Sequence, residues 1–216
     1  MKRHILFICV GGLLSLRCGM LYGQDVDEVL SRLQRKYESL RDLSASFTQV
    51  VRFGVMQSTQ TFGGKLWMKK NNKYRIEMDQ QTIVTDGQTV WTYSELNRQV
   101  FIDTFRDDPK SITPERLLAT APKNYFASLI GKEQLDGVET IVLKLVPKDS
   151  KSSMKSMKLW IDPSSWLMTK VEVLDASETL TTYGAKDVKI NAGIDDGLFR
   201  FTPPPGVDVI DLRTSQ

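Results

Sequence analysis

Residues 62–103 read FGGKLWMKKNNKYRIEMDQQTIVTDGQTVWTYSELNRQVFID, a run of antiparallel strands. Within it Lys73, Arg75 and Glu77 alternate with Tyr74, Ile76 and Met78, the period-two pattern of a strand with one wet and one apolar face. Phe62, Gly64, Leu66 and Met68 share one parity, with Lys65, Trp67 and Lys69 on the other, so two successive strands agree about which face is apolar. Asp86-Gly87 separates Thr82–Thr85 from Gln88–Trp91 and supplies the positive φ angles of a tight two-residue hairpin turn. The expectation is a meander of about four strands whose apolar face the rest of the chain covers.

Toward the N-terminus, Lys2 and Arg3 precede an apolar run from Ile5 to Leu16, and a polar, acidic segment begins at Gln24. That is the pattern of a signal peptide, and the run is too short for a membrane-spanning helix. Residues 1–23 are therefore expected to be a leader cleaved near Gly23, and 24–216 a single domain. Arg17 stands before Cys18 where a lipidation site wants a small residue, so an unlipidated chain is expected. The leader holds three of the 29 basic residues and no acid, which leaves 26 basic against 26 acidic residues. A neutral chain without a basic tract argues against nucleic acid and anionic lipid surfaces as partners.

Both cysteines, Cys9 and Cys18, and the single histidine, His4, lie in the leader. Without them the mature chain has no disulfide, no Cys–His or Ser–His–Asp catalysis and no typical zinc or copper site. Carboxylate or lysine chemistry remains. Asp107-Asp108 and Asp195-Asp196 are the pairs a hydrolase would need, but adjacent acids on loops are ordinarily solvated turn residues. No phosphate cradle or metal-ligand spacing accompanies them. The chain is not expected to be an enzyme, nor to need a cofactor or metal.

Asp25 to Leu40 reads as a helix: Val26, Val29, Leu30, Leu33, Tyr37 and Leu40 form one stripe, and Asp25 with Glu28 suggests a capping box. Leu43, Ala45 and Phe47 then alternate as a strand. Thr113-Pro114-Glu115 starts a second helix, carrying Leu117 and Leu118 and broken by Pro122. Tyr125 to Ile130 reads as another short amphipathic helix ended by Gly131. Strands resume over Thr140–Pro147, Ser156–Ile161, Leu167–Leu174 and Glu178–Ile190, with Asp162-Pro163-Ser164-Ser165 turning one pair. The fold class is α+β, with one strongly curved sheet.

In order and spacing, the first helix, Ser46-Phe47-Thr48-Gln49, Gly64–Lys70, Ile83–Trp91 and Phe199–Val207 resemble the periplasmic outer-membrane lipoprotein carrier family, LolA. The resemblance implies an incomplete antiparallel β-barrel of about eleven strands, its hydrophobic cavity lidded by short helices. It also implies a monomeric carrier with lipoprotein acyl chains as cargo, a LolCDE-like inner-membrane transporter as donor and a LolB-like outer-membrane receptor as acceptor. Parity places Leu66, Met68, Tyr74, Ile76 and Met78 inside, faced by Leu30, Leu33, Leu117, Leu118, Phe126 and Ile130 from the helices. The best-known branch of the family has an arginine, then a proline, where this chain has Lys70 and Asn71, and that arginine is implied to latch the lid. Lysine keeps the charge but loses the planar fork, so Lys70 is either a weaker latch or a solvated rim residue. The same curved sheet is implied in exported lipid-binding proteins and in regulators that sense lipids or lipoproteins.

Overall fold

Helix α1 (Val26–Ser39) begins where Asp25, in extended backbone, accepts a hydrogen bond from the N–H of Asp27 at 3.2 Å. Glu28, the expected capping-box partner, instead pairs with Arg32 one turn on. The helix buries Val29, Leu30, Leu33 and Tyr37 along one stripe, as its apolar period requires. The structure, a computed structural model, describes residues 25–54, 58–106 and 114–213. Residues 1–23, expected to be a leader, lie outside them, as do Asp107, Asp108 and Thr113.

Six strands follow α1: β1 (Asp42–Phe53), β2 (Ser58–Lys69), β3 (Lys73–Met78), β4 (Gln81–Asp86), β5 (Thr89–Ser94) and β6 (Gln99–Thr104). Helix α2 (Pro114–Asn124) leads into β7 (Tyr125–Leu135), β8 (Val138–Pro147), β9 (Met154–Asp162), β10 (Leu167–Asp175) and β11 (Leu180–Ile190). A 3-10 turn (Asp196–Phe199) and β12 (Asp208–Asp211) complete the order. All twelve strands form one open, curled sheet, ordered β12-β6-β5-β4-β3-β2-β1-β11-β10-β9-β8-β7. This is the α+β fold of an incomplete barrel, with twelve strands where about eleven are expected from the resemblance. Pairing is antiparallel except for β12, which runs parallel to β6. Register shifts at Ser44/Ser46, Leu129/Gly131 and Met168/Lys170 mark bulges, which bend and twist a sheet locally.

Four local expectations need correction. Residues 62–103 hold five strands rather than four. Tyr125–Ile130 is not a helix but the start of β7, paired with β8 from Tyr125↔Pro147 to Leu129↔Leu143, with Ile130 bulged out of the ladder; a short apolar run has too few periods to separate the two. Pro122 does not break α2 but sits in its last turn. The Asp86-Gly87 turn is also longer than two residues. Thr85↔Val90 is the last pair, Gly87 alone takes a positive φ, and the Asp86 carboxylate accepts from the N–H groups of Gln88 and Thr89 at 2.8 Å each.

The main core lies between the helices and one half of the sheet. Val29, Leu30, Leu33, Leu117, Leu118 and Ala121 pack with Ile141, Leu143 and Leu145 of β8, Met157, Leu159 and Ile161 of β9, and Leu167 of β10. The junction of α1 with β1 is pinned by Asp42, a buried carboxylate that accepts from the N–H groups of Ala192 (2.7 Å) and Gly193 (3.1 Å). These bonds compensate the cost of burying its charge.

Candidate functional site

Leu43 of β1 packs on the main core and pairs with Met68 of β2, so Met68 lies on the face of the sheet that the helices cover. From there the registers carry that inner face outward strand by strand. One row runs Leu43–Met68–Tyr74–Thr85–Val90, the next Ala45–Leu66–Ile76–Ile83–Thr92–Phe101, and a third Phe47–Gly64–Met78–Gln81. Phe62 pairs with Gln49, and Gln49 with Tyr183, extending the face toward β11. Gly64 is forced: a Cβ there would meet the carbonyl oxygen of Glu77 at 2.2 Å and the Phe47 ring at 2.9 Å.

The expected interior residues thus fall into separate sets. Leu30, Leu33, Leu117 and Leu118 are at most 4 % exposed and belong to the packed core with β8–β10. Leu66, Met68, Tyr74, Ile76 and Met78 line the inner face of β2 and β3, half-buried and outside that core. They share a face of the sheet with the helices, but the core that the helices fill contains no residue of β2–β6. Phe126 and Ile130 are on neither surface. Tyr125, Ala127 and Leu129 turn toward the core, whereas Phe126 is 65 % and Ile130 46 % exposed, because strand alternation sends them outward.

The inner face is apolar over β2 and β3, and over β4–β6 it mixes Ile83, Val90 and Phe101 with Gln81, Thr85, Thr92, Ser94, Gln99 and Asp103. Burial pushes the phenol group of Tyr74 above its usual value, as expected where a charged form would be partly withdrawn from water. Phe62 and Tyr183 stay exposed at its rim, and the Tyr183 hydroxyl accepts from Gln49 Nε2 at 3.4 Å. Among the described residues no group of three acidic, His or Cys side chains is placed to hold a metal ion. The acids Asp195 and Asp196 are structural: Asp195 caps the 3-10 turn through Gly197 N–H at 2.7 Å.

The opposite face of β2–β6 is not simply wet, which corrects the reading of Lys73, Arg75 and Glu77. The segment after β11 folds across it. Asp196 accepts from Lys69 Nζ at 2.5 Å and Lys73 Nζ at 2.7 Å, Arg75 reaches the Leu198 carbonyl, and Phe199, Val84 and Val100 are fully buried there. Tyr93 and Phe201 stack with ring centroids 5.8 Å apart. Sequence reading missed this second, smaller core because its covering segment lies more than 100 residues downstream; Trp67 on the charged side was the available signal.

Lys70 sits exposed in the β2–β3 turn, and its backbone N–H donates to the Arg41 carbonyl at 3.3 Å. Asn71 and Asn72 follow with φ of 66° and 58°. A proline, locked near −65°, cannot adopt that conformation, so this turn differs in shape from one built on Arg-Pro.

An open, curled sheet with an apolar inner face, half of it filled by two helices, is a β-shell. The chain belongs to the LolA family, the outer membrane lipoprotein carrier proteins, whose pattern matches residues 38–202. It is 30 % identical over 189 residues to the outer-membrane lipoprotein carrier protein of Haemophilus influenzae, covering 86 % of this chain and 88 % of the relative. It is 26 % identical to an uncharacterized protein of Methanocaldococcus jannaschii, covering 95 % of this chain but spanning only 58 % of that longer relative. Among solved structures, an uncharacterized conserved protein of Thermus thermophilus shares the fold with a TM-score of 0.57 at 16 % identity, over 86 % of this chain and 98 % of that one.

Proposed function

We propose that the chain is a non-enzymatic periplasmic carrier that shields the acyl chains of lipoproteins on the inner face of β2–β6. The observation that supports it is the apolar surface left outside the main core: Leu66, Met68, Tyr74, Ile76, Met78 and Ile83 lie side by side on one face and fill no part of the helix-covered core. Acyl chains gain about 0.8 kcal/mol per buried CH₂, so such a surface can hold them without chemistry. Methionine side chains suit ligands of irregular shape. In this reading residues 1–23 are a cleaved leader, 24–216 act as one monomeric domain, and cargo passes from a LolCDE-like transporter to a LolB-like receptor.

The test follows from the two separate sets of residues. Ile76→Glu places a charge on the half-buried inner face, where water can reach it; the variant is expected to stay folded by circular dichroism and to lose uptake of lipoprotein from inner-membrane vesicles. Leu118→Glu places the same charge in the packed core, at 1 % exposure, and is expected to unfold the protein. An Ile76→Glu variant that folds and still takes up cargo would end the proposal.

A further inference from the structure

A curled sheet that does not close leaves two edges, here β7 and β12. β12 is four residues long, whereas β7 has eleven, and one side of its backbone has no strand partner among the described residues. Unpaired N–H and C=O groups along such an edge are a template for another strand. Beside this edge lies the apolar patch that the acyl face does not use. Phe126 pairs with Val146 across β7 and β8, both point outward, and Ile130 is the extra residue of the Leu129/Gly131 bulge. Lys148 stands over the Phe126 ring at 5.4 Å, and Lys144, on the same face, pairs with Ser128. An exposed edge of this length, with flanking apolar and cationic side chains, fits an extended polypeptide carrying both apolar and acidic residues. A lipid surface fits less well, because the unpaired backbone groups would find no partner there.

We propose that β7 takes up, by strand addition, the extended polypeptide segment that follows the lipid anchor of the cargo. This rests on the carrier reading: a chain whose acyl groups lie on the inner face has to leave the open shell, and β7 is the longer of the two edges that could guide it. The added strand would alternate its side chains between Phe126 and Ile130 outside and Tyr125, Ala127 and Leu129 inside, with an acidic residue near Lys144 and Lys148.

The experiment compares three probes on the full chain: a diacylated lipopeptide with an extended acidic tail, the same lipopeptide with lysines for the acids, and a diacylglycerol with no peptide. The acidic lipopeptide is expected to bind at least about tenfold tighter than the other two, and to slow hydrogen exchange of the β7 amides, which diacylglycerol does not. Phe126→Ser and Lys148→Glu are expected to remove most of that advantage while leaving diacylglycerol binding unchanged. Equal affinity for all three probes, or unaltered β7 exchange, would overturn the proposal. So would a patch that binds anionic vesicles in the absence of lipopeptide and loses that binding in the variants. Failure of the wild type to bind even diacylglycerol would instead strike at the carrier reading itself.

Discussion

Trp166 adopts a φ of +56°, a left-handed conformation that costs a residue with a Cβ roughly 1–2 kcal/mol. Its surroundings show what holds it there. Its N–H donates to the Asp162 carbonyl at 2.8 Å, and the Asp162 carboxylate ties down Ser164 and Ser165, so the β9–β10 turn is fixed from inside. The indole packs against the main core, and the Arg32 guanidinium of α1 stands 5.1 Å from its ring centroid. Backbone strain and side-chain packing therefore oppose each other at this position, and two substitutions separate them. Trp166→Ala loses the packing and keeps the strain; Trp166→Gly loses the packing and relieves the strain. Both variants are expected to be less stable than the parent, with glycine the more stable of the two by about 1 kcal/mol. Denaturant unfolding checks it, and an alanine variant as stable as the glycine one would mean that the backbone carries no strain there.

Among the elements, the segment after β11 has the clearest dependence on conditions. Hydrogen bonds from Lys69, then Lys73, hold the Asp196 carboxyl down at about 2 from an ordinary 3.8. A carboxyl with a lowered folded-state value stabilises the fold above its unfolded value and loses that contribution as pH falls through the folded one. The tie between this segment and the β2–β3 hairpin is thus complete above about pH 4 and released between roughly pH 4 and 2. Replacing Asp196 with Asn is expected to flatten the fall of the thermal midpoint across that window while changing little near neutrality; an unchanged acid limb would show that the tie does not hold the segment. This element also shows where sequence reading stops. Alternation in Lys73–Met78 orients β3 because each residue reports its own face, and the stripe from Val26 to Leu40 does the same for α1. That the polar face of β3 is covered depends on Phe199 and Asp196 arriving from far along the chain, which no local pattern records. Phe126 and Ile130 were misplaced for a related reason: assigned to a helix, they count as lining, but in a strand their parity sends them outward.

For the molecule as a whole, the two halves of the sheet are built differently. The β8–β10 half is filled by helices and holds most of the fully buried side chains. The β2–β6 half has a small core on its outer side, around Val84, Val100 and Phe199, and an inner face that is apolar over β2 and β3 but incompletely covered among the described residues. Elements with few buried apolar contacts open at lower free energy than the global transition, so amides of β3–β6 are expected to exchange faster than those of β8 and β9. A ligand that fills the inner face should reverse the order selectively. At a hundred times its dissociation constant it adds about 2.7 kcal/mol to the state that binds it. For a domain of this size that corresponds to a rise in melting temperature of roughly 5–10 °C. The expected outcome with a diacylated probe is that rise, together with slowed exchange concentrated in β2–β6 and little change in β8–β9. Protection spread evenly over both halves would place the ligand elsewhere, and a probe that binds without raising the melting temperature would mean that it prefers an opened state of the shell.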